Sequence, residues 1–204
     1  GVIPEGEQGV ASIKHHEVTK EDADRASMRA VVTGDTSLVV SPGLYAQLWV
    51  NHGLMMSDTD MEKHSNSEII RNAKGHVLIA GLGIGLLLPP LLAKEEVTKV
   101  TVIEKYQDVI DLVEKPLRAF LGRKKLKHKE RLEIVQADIF EFKPERGLKY
   151  DTIYFDIWAD TTTKNLEDME KLHRKFGRRK SSGAWMNSWY RSRLMRAKKN
   201  GRWR

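Results

Sequence analysis

The chain has 204 residues, with 35 Lys and Arg against 28 Asp and Glu, and no cysteine. Such a length suits one domain with a sizeable core, and the lack of cysteine excludes disulfides, thiolate metal sites and a cysteine nucleophile. The net charge of +7 is uneven: residues 171–204 hold 13 Lys and Arg and no acid, which leaves 22 basic against 28 acidic side chains before them. Basicity therefore belongs to the C-terminal stretch, and the body is acidic. The longest apolar run, residues 77–93, is broken by glycines and by Pro89-Pro90, and GVIPEGEQGV lacks the basic-then-apolar pattern of a secretion signal. The expectation is a cytoplasmic protein with no membrane contact.

In chain order, residues 1–24 are polar and read as a loose arm. SMRAVVTG, TSLVVSPG and YAQLWVNHGLMMSD are short segments rich in Val, Leu, Tyr and Trp, separated by turn signals. They predict two or three antiparallel strands, so residues 1–58 form an arm and β-hairpin region. A helix over about residues 60–73 follows, capped by Asp58 or Thr59. HVLIAGLGIG then reads as a buried strand entering a glycine turn, and LLLPPLLAKEE as the next helix. KVTVIEK, RLEIVQADIF and YDTIYFDIW supply three more strands, with QDVIDLVEKPLRAFLG a helix between the first two. Residues 164–176 read as another helix, and GAWMNSW as a last strand.

This alternation implies crossover connections. The fold class is α/β, a Rossmann-like, mostly parallel sheet with flanking helices over residues 59–190, preceded by the antiparallel hairpin region. Residues 191–204 form a basic tail. After GAWMNSW little apolar sequence remains, so the sheet edge is open, covered by the tail, or completed by another copy in a homo-oligomer.

The loop Gly81-Leu82-Gly83-Ile84-Gly85 stands directly between a strand and a helix. Glycines there allow a sharp turn and close approach to a ligand, although the same residues also serve simply to tighten a turn. Glu104 ends the next strand about 20 residues on, where a carboxylate can accept both hydroxyls of a ribose. A dinucleotide fingerprint would want its third glycine at position 86, which is leucine; GxGxG suits a ligand without pyrophosphate. Asp138 closes the third strand, where it can bond an adenine amino group while Ile139 packs on the ring. Together these residues favour S-adenosylmethionine over a nicotinamide cofactor.

The span from residue 48 to 158, carried by LWVNHGLMMSDTDMEKHSNSEII, GHVLIAGLGIGLLLPPLL, VTVIEKYQDVIDLV, RLEIVQADIFEF and YDTIYFDIW, resembles the spermidine synthase-like branch of the class I S-adenosylmethionine-dependent methyltransferase superfamily. The resemblance implies that Gly81, Gly83 and Gly85 line the methionine part of the donor. It assigns Glu104 to the ribose, and Asp138 with Ile139 to the adenine. The aminopropyltransferases of this branch use a decarboxylated donor, and Asp156 matches the aspartate that binds and deprotonates their attacking amine. Their D-S-x-D-P gate is replaced here by Asp156-Ile157-Trp158-Ala159-Asp160, and their Tyr-His pair is missing from EKHSNSE.

Methyl transfer needs less, because holding donor and nucleophile in line supplies much of the rate and a base is needed only for a protonated nucleophile. The reading is therefore a methyltransferase with Asp156 or Asp160 as candidate base, against an aminopropyltransferase of the spermidine synthase type. The acceptor, small or macromolecular, has no motif. The seven scattered histidines have no ligand spacing, so no metal is expected. Residues 174–204 interleave Arg and Lys with Trp185, Trp189, Tyr190 and Trp203, the pattern of a nucleic-acid contact. A cofactor-binding module holding nucleic acid is thus a third reading, and the blander assignment packs those aromatic rings under a charged surface.

Overall fold

The computed structural model describes residues 3–34 and 39–199. Its first sheet is antiparallel, in the order β1 (Gly6–Gln8), β2 (Ala11–Val18), β3 (Gly43–Val50) and β4 (Gly53–Ser57). The β3–β4 hairpin turns at Asn51-His52, whose φ values of 49° and 64° are those of a type I′ turn matched to strand twist.

The N-terminal stretch is not a loose arm. It supplies β1 and β2 and then α1 (Lys20–Thr33), so residues 27–33, expected as a strand, are helical. Thr19 Oγ1 accepts the Asp22 N–H at 3.2 Å while the Asp22 carboxylate accepts the Thr19 N–H at 3.3 Å, a reciprocal cap on the first turn. Gly34, at φ 69°, ends the helix. Val31 and Val32 are 84% and 85% exposed, so their β-branched character marks no buried strand. The expected TSLVVSPG strand falls partly on residues 35–38, outside the described residues, and residues 39–42 are not in a strand.

The helix expected over residues 60–73 is two, α2 (Asp60–Ser65) and α3 (Ser67–Asn72), broken at Asn66. Thr59 sits at the first cap without a side-chain bond to the helix, and Asp58 instead accepts the Ala46 N–H of β3 at 2.8 Å.

The second sheet has five parallel strands in the order β7 (Leu132–Gln136), β6 (Val97–Glu104), β5 (Gly75–Ala80), β8 (Tyr150–Phe155) and β9 (Lys180–Ser188). Helices α4 (Leu88–Leu92), α5 (Gln107–Arg123), α6 (His128–Arg131), α7 (Asn165–Gly177) and α8 (Arg191–Lys199) connect or flank these strands. The α/β architecture matches the sequence reading, but the helix after the glycine loop is only five residues long.

Burial on both faces explains the continuous apolar strands. Val77 and Ile79 of β5 share a core with Val109, Val113, Leu117 and Leu121 of α5. Leu78 and Ala80, pointing the other way, pack with Leu172 and Phe176 of α7. The antiparallel sheet joins the first of these cores through Ile13, Leu48 and Val50. Its β1–β2 turn is also pinned to α5, where Asp108 Oδ2 accepts the Val10 N–H at 3.0 Å.

Thr19→Ala removes the cap of α1 and is expected to cost about 1 kcal/mol of stability, measured by urea unfolding.

Candidate functional site

The strand order reverses between β5 and β8, so the loops leaving them diverge and open a crevice at the carboxyl ends of the strands. The Asp156 N–H still donates to Ala80 O at 2.8 Å. One residue further, Gly81 runs at φ 97° against the Asp156 carbonyl, and a Cβ there would collide with it. Gly83, at φ 52°, likewise has no room for a Cβ because Met56 Sδ of β4 fills the space. The glycine loop is thus clamped between β8 and the antiparallel sheet, and Met56 also accepts the Ile84 N–H at 3.3 Å.

The result is a cavity of about 250 Å³, walled by the glycine loop, the ends of β6, β7 and β8, the antiparallel sheet and α2. Of the residues singled out from the sequence, Gly81, Gly83, Glu104, Asp138, Ile139 and Asp156 line it together. Gly85 supports the loop from behind, where its missing Cβ makes room for Leu117 of α5. Asp160 lies outside. Its carboxylate is exposed and accepts from the Thr162 hydroxyl at 3.1 Å and the Asn165 amide at 2.9 Å, which organises the turn into α7.

Glu104 is buried, with Oε2 accepting the Leu82 N–H at 2.8 Å and Oε1 the Tyr106 N–H at 2.9 Å. Burial raises its pKa, and the N–H groups of Tyr106, Leu82 and Lys105 oppose the rise. The Leu82 and Tyr106 hydrogen bonds fall on different oxygens and leave lone pairs on the carboxylate for ribose hydroxyls. Asp138 follows β7 in a turn, accepting the Phe140 N–H at 2.9 Å and pairing with Lys105 Nζ at 3.0 Å. Partial burial would raise its pKa, but the Phe140 and Lys105 donors outweigh that and hold it low. Ile139, 4% exposed, is packed into the second core with one side on the cavity.

Two more acids line the cavity. Burial pushes Asp156 up to about 7, with the nearby Glu62 carboxylate adding to the rise and the Asn66 amide opposing it. Glu62 of α2 is likewise pushed up to about 7 by burial, against one Ser57 backbone bond. Asn66 ties the pair to the sheet: its amide donates to Glu62 O at 3.2 Å and its carbonyl accepts the Tyr154 hydroxyl at 3.0 Å. Sequence reasoning missed Glu62, Asn66 and Lys105. In DMEKHSNSE nothing separates Glu62 from its exposed neighbours until α2 folds beneath β8.

In the C-terminal stretch, Trp185 stacks on Tyr154 at 6.0 Å and Trp189 is 5% exposed with Nε1 donating to Ser65 Oγ at 2.9 Å. Tyr190 packs edge-on against Trp189 at 4.7 Å. These three rings are used for packing; Trp203 lies outside the described residues. Among the described residues no helix is long and apolar enough to cross a membrane, and no group of His, Asp and Glu could hold a metal ion.

The chain belongs to the family of the spermine/spermidine synthase domain, which it matches over residues 55–175, more than half its length. The crystal structure of spermidine synthase from Thermotoga maritima shares the fold, with a TM-score of 0.50 at 16% identity over 88% of this chain and 52% of that one. The glycopeptide N-methyltransferase MtfA complexed with (S)-adenosyl-L-methionine gives a TM-score of 0.45 at 19% identity, covering 61% of this chain and 48% of that one. An S-adenosylmethionine-dependent methyltransferase from Clostridium acetobutylicum gives 0.41 at 19% identity, over 65% and 53%. The chain thus spans about half the length of these structures. No curated protein sequence matches it.

Both raised carboxyls have folded pKa values above their ordinary ones. The neutral pair therefore favours the folded state at low pH, and that contribution is lost as pH rises through about 7. Glu62→Gln is expected to raise the melting temperature at pH 8, by about 2–4 °C per kcal/mol gained, with the advantage shrinking steadily toward pH 4.5. An advantage that does not change with pH would refute the assignment.

Proposed function

We propose that the chain is an S-adenosylmethionine-dependent methyltransferase whose acceptor is an amine. The observation that carries the reading is the Asp156–Glu62 pair lining the same cavity as the glycine loop. An amine arrives protonated near neutrality and must lose its proton before it can attack. A carboxyl raised to about 7 is matched to taking that proton at physiological pH. The donor supplies an alkyl group activated on a sulfonium.

The residues present fit such a donor. Gly81 and Gly83 present bare backbone to the cavity, Glu104 keeps lone pairs for the ribose hydroxyls, and Asp138 with Ile139 offers an edge and a face for the adenine. Asp156 receives the proton, the neighbouring Glu62 carboxyl helps hold its pKa up, and the Asn66 side chain bonds Asp156. Methyl transfer ranks ahead of aminopropyl transfer because the D-S-x-D-P gate of the aminopropyltransferases that the sequence resembles is replaced by Asp156-Ile157-Trp158-Ala159-Asp160, and Ile157 and Trp158 line the cavity.

One observation favours the aminopropyl reading. Glu62, Glu104, Asp138 and Asp156 all line the cavity, whereas the one cation lining it among the described residues, Lys105, is paired with Asp138. A decarboxylated donor needs no cationic partner for a carboxylate.

Calorimetric titration with S-adenosylmethionine, S-adenosylhomocysteine and decarboxylated S-adenosylmethionine, side by side, separates the two. The first two are expected to bind more tightly, and preference for the third would reverse the order. Binding of none would overturn both. Glu104→Ala is expected to weaken donor binding by about tenfold or more. Asp156→Asn should leave donor binding intact and cut the transfer rate by roughly 10²–10⁴-fold.

A further inference from the structure

Behind the wall formed by Asn66 and Tyr154, on the side away from the donor cavity, lies a second cavity of about 260 Å³. Four arginines converge on it: Arg71 from α3 and Arg191, Arg193 and Arg196 from α8. Its one carboxylate, Glu68, accepts from the Asn187 amide at 3.2 Å. None of the four guanidiniums has a carboxylate partner among the described residues. Like charges gathered this way repel one another, so the cluster is stabilised by whatever anion enters it.

The lining points to a specific anion. The Arg191 Nε is buried with no hydrogen-bond partner in the protein, a donor that a folded chain rarely leaves unmatched. Helix α8 starts at the same cavity; the Arg193 and Leu194 N–H groups donate to Tyr190 O, and those of Arg191 and Ser192 have no acceptor among the described residues. Ser67 and Ser192 add hydroxyls that bond nothing else among the described residues. Nearby, His173 is pushed down to about 4, chiefly by burial, with the Arg191 and Lys180 charges adding to the shift.

Guanidinium forks, hydroxyls and helix N–H groups together suit a tetrahedral anion with three acceptor oxygens better than a carboxylate with two. The concave shape and the burial of Trp185 and Trp189 favour a terminal phosphate over a stacked single strand of nucleic acid.

We propose that this cavity is a binding site for the phosphate group of a small phosphomonoester, separate from the donor site. Ser65 and Ser67 line the basic cavity and Asn66 between them lines the donor cavity, so the occupant presses on the segment that holds the acid pair.

The test is calorimetry on the full chain with inorganic phosphate and phenyl phosphate, alongside S-adenosylhomocysteine in the same samples. Both phosphates are expected to bind saturably and to compete with sulfate. Arg71→Gln and Arg191→Gln should each weaken them about tenfold while leaving S-adenosylhomocysteine affinity unchanged. Arg71 is exposed, so its variant keeps the test valid should Arg191→Gln fail to fold. The proposal is overturned by absence of saturable phosphate binding or by undiminished affinity in Arg71→Gln. It is equally overturned if only an oligonucleotide binds. A protein that binds S-adenosylhomocysteine but no phosphate would leave the transferase reading standing.

Discussion

The Ala80 carbonyl accepts the Asp156 N–H at 2.8 Å, and one residue later the Gly81 backbone passes the Asp156 carbonyl with no space for a side chain. That approach of two diverging strands is what the rest of the site depends on. It fixes the glycine loop against β8, sets Asp156 opposite that loop, and leaves the Leu82 N–H aimed at Glu104 from the neighbouring strand. Met56 closes the other flank at Gly83, so the antiparallel sheet is a wall of the cavity and not a separate appendage.

The Asn66–Tyr154 contact divides two regions of opposite electrostatic character. On one side lie Glu62 and Asp156, held in surroundings that resist their ionisation; on the other lie four guanidiniums without carboxylate partners among the described residues. A protein interior seldom tolerates such a buried acid pair for stability alone. The Asn66 amide and the Tyr154 hydroxyl satisfy each other across the boundary, and Trp185 stacked on Tyr154 stiffens it.

The parallel sheet was legible because its strands are buried on both faces and therefore read as unbroken apolar runs, punctuated by a glycine loop and by strand-end acids. The N-terminal helix was not. Met28, Val31 and Val32 of α1 face solvent, so its apolar residues carry no core periodicity, and its one local signal was the Thr19–Asp22 cap. Glu62 and Asn66 were invisible for a different reason: their roles arise from contacts with β8, some ninety residues away, which no local pattern encodes. The aromatic residues near the C-terminus were visible as a cluster, but whether they packed or projected was a question of tertiary structure, and Trp185 and Trp189 pack.

The bond between the Val10 N–H and Asp108 spans 98 residues of sequence. At a synthesis rate of about 5–20 residues per second, the anchor for the first hairpin leaves the ribosome roughly 5–20 s after the hairpin itself. During that interval Ile13, Leu48 and Val50, whose final neighbours include α5, have no α5 to cover them. The strands made first are thus the ones seated late, and the nascent chain presents an apolar sheet face for chaperones to shield until α5 emerges.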